Sequence, residues 1–187
     1  MPRLFTGLEI PRDVGFALSL KRGGLHGARW IDAQNYHITL RYIGDVDYQT
    51  ANEVAGALER FADTGPLTIK LNHLGVFGGN KPRALYAGMD GNPALARLQA
   101  AQERSLQQIG LAPDGRKFVP HVSLARLRNT SANDIARFMA EAMWFEPFTF
   151  TADRFVLYSS RNSVGGGPYL VEEAYDLGVT NSVAAAQ

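Results

Sequence analysis

The sequence predicts an α+β fold of two tightly packed lobes, and three observations carry that expectation. Short runs show strand-like alternation, stretches of helical periodicity lie between them, and the resulting order repeats loosely in the two halves of the chain. A length of 187 residues suits one domain or two joined lobes, and 45% apolar with 20% charged residues is ordinary for a soluble globular protein with a real core. No obvious linker separates the halves.

Taken in order, residues 3–10 read as a strand, and Pro11 suits the first turn of a helix reaching to about residue 21. A loop at 23–27 leads to a strand at 36–43. Asp45 or Asp47 can cap a helix carrying Val54, Leu58 and Phe61 on one face. Residues 67–77 and 83–89 read as two strands joined by the turn-rich 78–82. Asn92-Pro93 opens a helix with Leu95, Leu98, Leu106 and Ile109 on its apolar stripe, and Gly110 stops it. Residues 121–127 form another strand. Ser131-x-x-Asp134 has the form of a capping box ahead of Ile135, Phe138, Met139 and Ala142. Strands at 148–158 and 169–177 close the chain around Gly165-Gly166-Gly167. The order is β-α-β-α-β-β-α-β-α-β-β. Residues 1–179 are expected to form one domain of two intertwined lobes, with 180–187 as a flexible tail.

Absence of cysteine excludes disulfides, thiolate metal sites and a Cys nucleophile. No run approaches the roughly 18 apolar residues that span a bilayer, and the N-terminus lacks a charged-then-apolar export signal. Cytoplasmic residence without a membrane is the expectation. A net charge of +1 argues against a general nucleic-acid polycation. Charge is nevertheless concentrated locally. Arg116, Lys117, Arg126 and Arg128 stand against Asp114 alone between residues 114 and 128, a basic rim able to meet phosphate.

The informative segments are Tyr36-His37-Ile38-Thr39-Leu40 and Pro120-His121-Val122-Ser123-Leu124. Alternation puts His37 and Thr39 on one strand face, with Ile38 and Leu40 anchored in the core behind them. His121 and Ser123 repeat the pattern 84 residues later (121 − 37 = 84). Same-face neighbours on a strand lie about 6.6 Å apart, so each pair can reach one phosphate. Two imidazoles facing a cyclic phosphodiester could divide the proton transfers of hydrolysis, one taking a proton from water and one giving a proton to the leaving oxygen. The hydroxyls of Thr39 and Ser123 would then hydrogen-bond the non-bridging oxygens, where charge builds in the transition state.

Other signals are weaker. His26, in a Gly-rich loop, and His73 complete no metal motif, so no metal and no cofactor are expected. The Gly165-Gly166-Gly167 run lacks the Lys-Ser/Thr and helix start of a Walker-type loop. Tyr36, Phe118, Tyr158 and Tyr169 are candidates for stacking on a base, against the commoner role of core packing. Arg41 shares the His37 face under strict alternation.

At these residues the sequence resembles the 2H phosphoesterases, most closely the bacterial and archaeal RNA 2′,3′-cyclic phosphodiesterases formerly called 2′–5′ RNA ligases. The resemblance runs through Arg3-Leu4-Phe5, Ile10-Pro11, residues 35–44, residues 83–88, residues 120–126 and Phe155-x-Leu157-Tyr158-x-Ser160. It implies two pseudo-symmetric lobes of mainly antiparallel sheet with outer helices and the active-site cleft between them. It also implies that His37 donates a proton to the 3′ oxygen, that His121 activates water, and that the product is a 2′-phosphate. Ser123 stands where the family's HxTx motif commonly has threonine. Arg126 matches a basic position after the second motif, although strict alternation points it away from His121 unless the strand bends near Ala125. Arg126, Tyr36 and Phe118 are the candidate substrate contacts. The implied partners are RNA with 2′,3′-cyclic phosphate ends or small cyclic nucleotides; a monomer is expected, without the resemblance deciding it. Two alternatives use the same cleft: 2′–5′ ligation, and non-catalytic binding of RNA ends.

Overall fold

Alternating segments become sheet where one face can be buried, and the chain uses this repeatedly. In a computed structural model, which describes residues 1–142, 145–160 and 167–178, the strands and helices are β1 (Arg3–Glu9), α1 (Arg12–Ser19), β2 (Ala28–Trp30), β3 (His37–Asp45), α2 (Tyr48–Leu58), β4 (Leu67–Leu71), β5 (His73–Phe77), β6 (Ala84–Gly88), α3 (Pro93–Gln108), β7 (His121–Leu127), α4 (Ala132–Glu141), β8 (Phe148–Ala152), β9 (Arg154–Ser160) and β10 (Tyr169–Asp176). Gly165, Gly166 and the predicted tail 180–187 lie outside the described residues.

The main sheet has the order β10-β9-β1-β3-β7-β6-β5, antiparallel throughout, with β2 added alongside β7. Its halves meet where Ile38 of β3 pairs with Val122 of β7, both fully buried. Strands β3, β1, β9 and β10 lie on one side of that pairing, and β7, β6 and β5 on the other. Each histidine motif therefore occupies the innermost strand of its own half. The mixed helix and antiparallel-sheet architecture agrees with the expected fold class.

Two predicted strands each divide in two. Residues 67–77 break at Asn72, and residues 148–158 break at Asp153. The outer pieces, β4 and β8, pair as a separate two-stranded sheet and bury Leu67, Ile69, Leu71 and Ala152. The inner pieces, β5 and β9, join the main sheet. Both breaks are held by backbone hydrogen bonds, from the Asn72 amide to Gly88 (2.9 Å) and from the Leu177 amide to Asp153 (2.7 Å). Apolar positions 67, 69 and 71 give way to 74 and 76 across the first break, and 148, 150 and 152 to the run 155–158 across the second, but only the pairing partners show that the pieces enter different sheets.

The helices start largely as their side chains dictate. Asp47, rather than Asp45, caps α2 by accepting from the Thr50 amide at 2.7 Å, while Asp45 pairs with Arg3 instead. Asn92 caps α3, and Ser131 with Asp134 completes the capping box of α4. Pro11 itself is the cap residue of α1 rather than its first turn. Gly110, with φ of +96°, carries the turn that leaves α3. Helix α3 backs the sheet on the face away from the histidines. There, buried Thr6 of β1 donates to Gln102 at 2.8 Å, and Arg41 of β3 pairs with Glu103.

A bulge interrupts β3 and β7 at the same offset from their histidines. In β3, Thr39 pairs with Gly7 while Arg41 pairs with the preceding Thr6, so Leu40 is the extra residue. In β7, Ser123 pairs with Tyr86 while Ala125 pairs with Leu85, so Leu124 is the extra residue. Burial follows the same sequence in both strands. Leu40 and Arg41 are consecutive buried residues, as are Leu124 and Ala125, and Tyr42 and Arg126 then emerge exposed. A bulge re-aims the side chains that directly follow it.

Candidate active site

His37, Thr39, His121 and Ser123 line one cleft of about 940 Å³. Each histidine is half-buried and held by a backbone carbonyl two residues upstream. His37 Nδ1 lies 2.8 Å from the Asn35 oxygen, and His121 Nδ1 lies 2.6 Å from the Val119 oxygen. A carbonyl only accepts, so Nδ1 carries a proton in both rings and Nε2 is the position that can gain or lose one. His37 Nε2 lies 3.1 Å from the Thr39 hydroxyl. The neutral ring accepts that hydroxyl proton, and the charged ring donates instead.

A stacked aromatic pair lies against each imidazole. Phe5 of β1 and Tyr158 of β9 stack at 4.9 Å between centroids, with Phe5 lying 5.0 Å from His37. Tyr169 meets His37 edge-on at 4.9 Å. In the other half, Phe77 of β5 and Tyr86 of β6 stack at 4.2 Å and meet His121 edge-on at 4.8 and 5.3 Å. Gly75 sits opposite Tyr86 in the β5–β6 register, and a Cβ there would fall inside the Tyr86 ring. The missing side chain is what lets the ring lie across β5.

These surroundings tune both histidines in one direction. Burial pushes the His37 pKa below the ordinary imidazole value, outweighing the Asn35 carbonyl, and the nearby His121 lowers it further. Burial also lowers His121, again against its carbonyl partner. Free of ligand, each ring therefore favours the neutral form.

The remaining candidates divide. Arg126 lines the cleft, because the β7 bulge supplies the bend that strict alternation lacks. Phe118 also lines it, from the loop before β7. Tyr36 does not: it is 4% exposed within the core, sharing the inward face with Ile38, so its candidacy as a substrate contact is corrected. Arg41 is corrected too. The β3 bulge turns it into the core, where it donates to Glu103 and to the carbonyls of Tyr42 and Ala112. Tyr158 is buried beneath His37, whereas Tyr169 reaches the cleft. His73 bonds to the Asn72 side chain at 2.8 Å, and His26 is exposed; neither lines the cleft. Among the described residues, no group of three His, Asp or Glu side chains is placed to hold a metal ion.

Sequence reasoning missed the two carbonyl anchors and the aromatic pairs as parts of the site. It also missed Arg83 and Tyr42, which line the cleft. The equal two-residue offset of Asn35 and Val119 is visible in the sequence, but its meaning depends on the ring orientation. The aromatics reach the histidines only through strand pairing.

Two matching half-sheets that present His-x-Thr and His-x-Ser to a common cleft have the layout of a 2H phosphoesterase. The model of the 2′-5′ RNA ligase superfamily matches residues 19–163, and the chain belongs to that family. An RNA 2′,3′-cyclic phosphodiesterase of Thermotoga maritima is 30% identical over 177 residues, covering 90% of this chain and 92% of the relative. The Aquifex aeolicus protein of the same name is 30% identical over 154 residues, covering 80% and 82%. Among solved structures, TT0787 of Thermus thermophilus shares the fold with a TM-score of 0.76 at 21% identity, covering 94% of this chain and 97% of that one. E. coli LigT complexed with 3′-AMP gives 0.74 at 22% identity, covering 95% and 99%.

Proposed function

We propose that this protein is an RNA 2′,3′-cyclic phosphodiesterase that opens cyclic phosphate ends to 2′-phosphates by metal-independent acid–base catalysis. The observation that carries this reading is the pair of carbonyl-anchored imidazoles, each with Nε2 as its working nitrogen and a hydroxyl two residues on. Homologues named RNA 2′,3′-cyclic phosphodiesterase, about 30% identical over most of the chain, support the same substrate.

In this mechanism His121 enters neutral and His37 enters protonated. Water attacks phosphorus in line with the 3′ oxygen while His121 Nε2 takes its proton. The bond from phosphorus to the 3′ oxygen breaks, and His37 Nε2–H delivers a proton to that oxygen. A 2′-phosphomonoester remains, and exchange with solvent resets both rings. The Thr39 and Ser123 hydroxyls donate to the non-bridging oxygens, and Arg126 balances their charge. Substrate phosphate favours the charged form of His37, offsetting the burial that keeps it neutral in the free protein. Phe118 provides a flat apolar contact for the nucleoside.

This reading places a monomer, one domain spanning residues 1–179, in the cytoplasm. No helix among the described residues is long and apolar enough to cross a membrane. The deciding experiment is product analysis on an oligoribonucleotide ended by a 2′,3′-cyclic phosphate, with EDTA present. A 2′-phosphate product is expected, and a 3′-phosphate product would reverse the leaving-group assignment. Adding an RNA with a free 5′ hydroxyl tests ligation, which would leave a 2′–5′ joined strand. Undiminished turnover in both His37→Ala and His121→Ala would sink the mechanism.

A further inference from the structure

A second groove of about 350 Å³ opens beside the cleft, sharing Ile31, Asn35 and Arg126 with it. On its wall Arg29 of β2 and Arg126 of β7 are matched residues of adjacent antiparallel strands, and both are exposed. Residues matched in this way project from the same face with Cβ atoms about 5 Å apart, and like charges so placed repel. Among the described residues, Asp32 is the single carboxylate lining the groove and lies 3.9 Å from Arg22, and Arg29 forms no ion pair. The fold thus sets two exposed guanidinium groups on one face at the junction of groove and cleft, where a bound anion can meet both.

We propose that Arg29 and Arg126 form a second phosphate subsite, which takes the internucleotide phosphodiester next to the reacting end of an oligoribonucleotide. This inference rests on the phosphodiesterase reading and sharpens its substrate class from any cyclic nucleotide to an RNA chain end. Arg126 serves both compartments, facing the reacting phosphate on the cleft side and the adjoining phosphate on the groove side. Arg29 serves only the groove. Guanidinium forks match phosphate oxygens in pairs, and each charge-assisted contact on this scale changes affinity about tenfold or more.

The test compares an oligoribonucleotide and a mononucleoside, each ended by a 2′,3′-cyclic phosphate, in the wild type, Arg29→Ala and Arg29→Lys. The ratio of kcat/KM for oligonucleotide over mononucleotide is expected to fall about tenfold in Arg29→Ala and to recover partly in Arg29→Lys. The slope of log KM against log salt for the oligonucleotide should shallow by about 0.7, the value for one phosphate contact on a single strand. An unchanged ratio, or equal losses on both substrates, would overturn the subsite. Equilibrium binding of the corresponding 2′-phosphate-ended oligonucleotide and nucleoside 2′-monophosphate keeps the two readings separable. Absent turnover with the same Arg29-dependent binding ratio defeats the hydrolase reading and leaves the subsite. Normal turnover with no such ratio defeats the subsite alone.

Discussion

The buried Arg41 of β3 and the part-buried Glu103 of α3 form an ion pair behind the cleft, with side chains 4% and 16% exposed. The Arg41 guanidinium also donates to the Ala112 carbonyl at 2.5 Å, and the Glu103 carboxylate accepts from the Asp114 amide at 3.0 Å. Together they tie the loop at 112–114 to the back of the sheet. From that loop the chain runs through Arg116, Lys117 and Phe118 to Val119, whose carbonyl orients His121. A pair on the far face of the sheet thus fixes the entry to the second histidine strand.

Removing Arg41 takes the cation from the part-buried Glu103, which keeps its bonds from Gln107 and the Asp114 amide, and costs about 1–3 kcal/mol. Urea unfolding of Arg41→Ala should show that loss, and a change below about 1 kcal/mol would contradict the pairing. Burial tends to raise the Glu103 pKa, but hydrogen bonds from Gln107, the Asp114 amide and Arg41 outweigh it and hold the carboxyl below its ordinary 4.5. The stabilisation is therefore full above pH 4.5 and is lost as pH falls through the lowered value. In Arg41→Ala this acid-sensitive component should shrink.

Both histidines titrate below the ordinary 6.5 in the free protein. The unfolded chain therefore binds more protons than the folded one just below pH 6.5, so stability contributed by the neutral rings is present above that pH and lost as it falls. For catalysis the profile of kcat/KM should be bell-shaped, with both apparent pKa values under about 6.5. The kcat profile should lie at higher pH, because bound phosphate stabilises the imidazolium. A kcat/KM profile flat from pH 5 to 8 would rule out a proton-sharing pair.

Loss of one hydroxyl should act on the transition state more than on binding. Thr39→Val and Ser123→Ala are each expected to lower kcat by about 10²- to 10³-fold with a small change in KM. Thr39→Ser keeps the donor and should retain most of the rate. Steady-state kinetics on a cyclic nucleotide distinguishes these outcomes, and a loss confined to KM would remove both hydroxyls from the reaction step.

Gly75 offers a test of the aromatic support. In Gly75→Ala the new methyl meets the Tyr86 ring, so either the ring or β5 must shift. Overpacking of this kind costs about 1–3 kcal/mol, and displacement of His121 should lower kcat by on the order of 10- to 100-fold. Gly56, exposed in α2 with nothing within 4 Å of an added Cβ, is the control. Gly56→Ala should instead stabilise by about 0.5–1 kcal/mol without touching the rate. Thermal melts and kcat measured on both variants check the contrast.

The chain's own residues determined more of the site than of the sheet that holds it. Alternation around His37 and His121 is local, and it placed Thr39 and Ser123 on the histidine faces because side chains two apart on a strand point the same way. Helix starts at Asn92 and Ser131 were legible for the same reason, since a cap needs only the next three residues. Pairing was not legible. Whether Leu71 and Val76 belong to one strand or to two depends on β8, which pairs with Leu71 from far along the chain.

The two bulges show the division most clearly. A strict period of two assigns Arg41 to the cleft and Arg126 to the core, and the structure does the reverse. The extra residues Leu40 and Leu124 invert the facing of the residues next after them, and nothing in the local pattern marks either leucine as the insertion. The register of β1 against β3 and of β6 against β7 sets those positions. Sequence alone therefore determined which residues could do the chemistry. Only the tertiary structure decided what surrounds them, because burial and aromatic support come from strands distant in sequence.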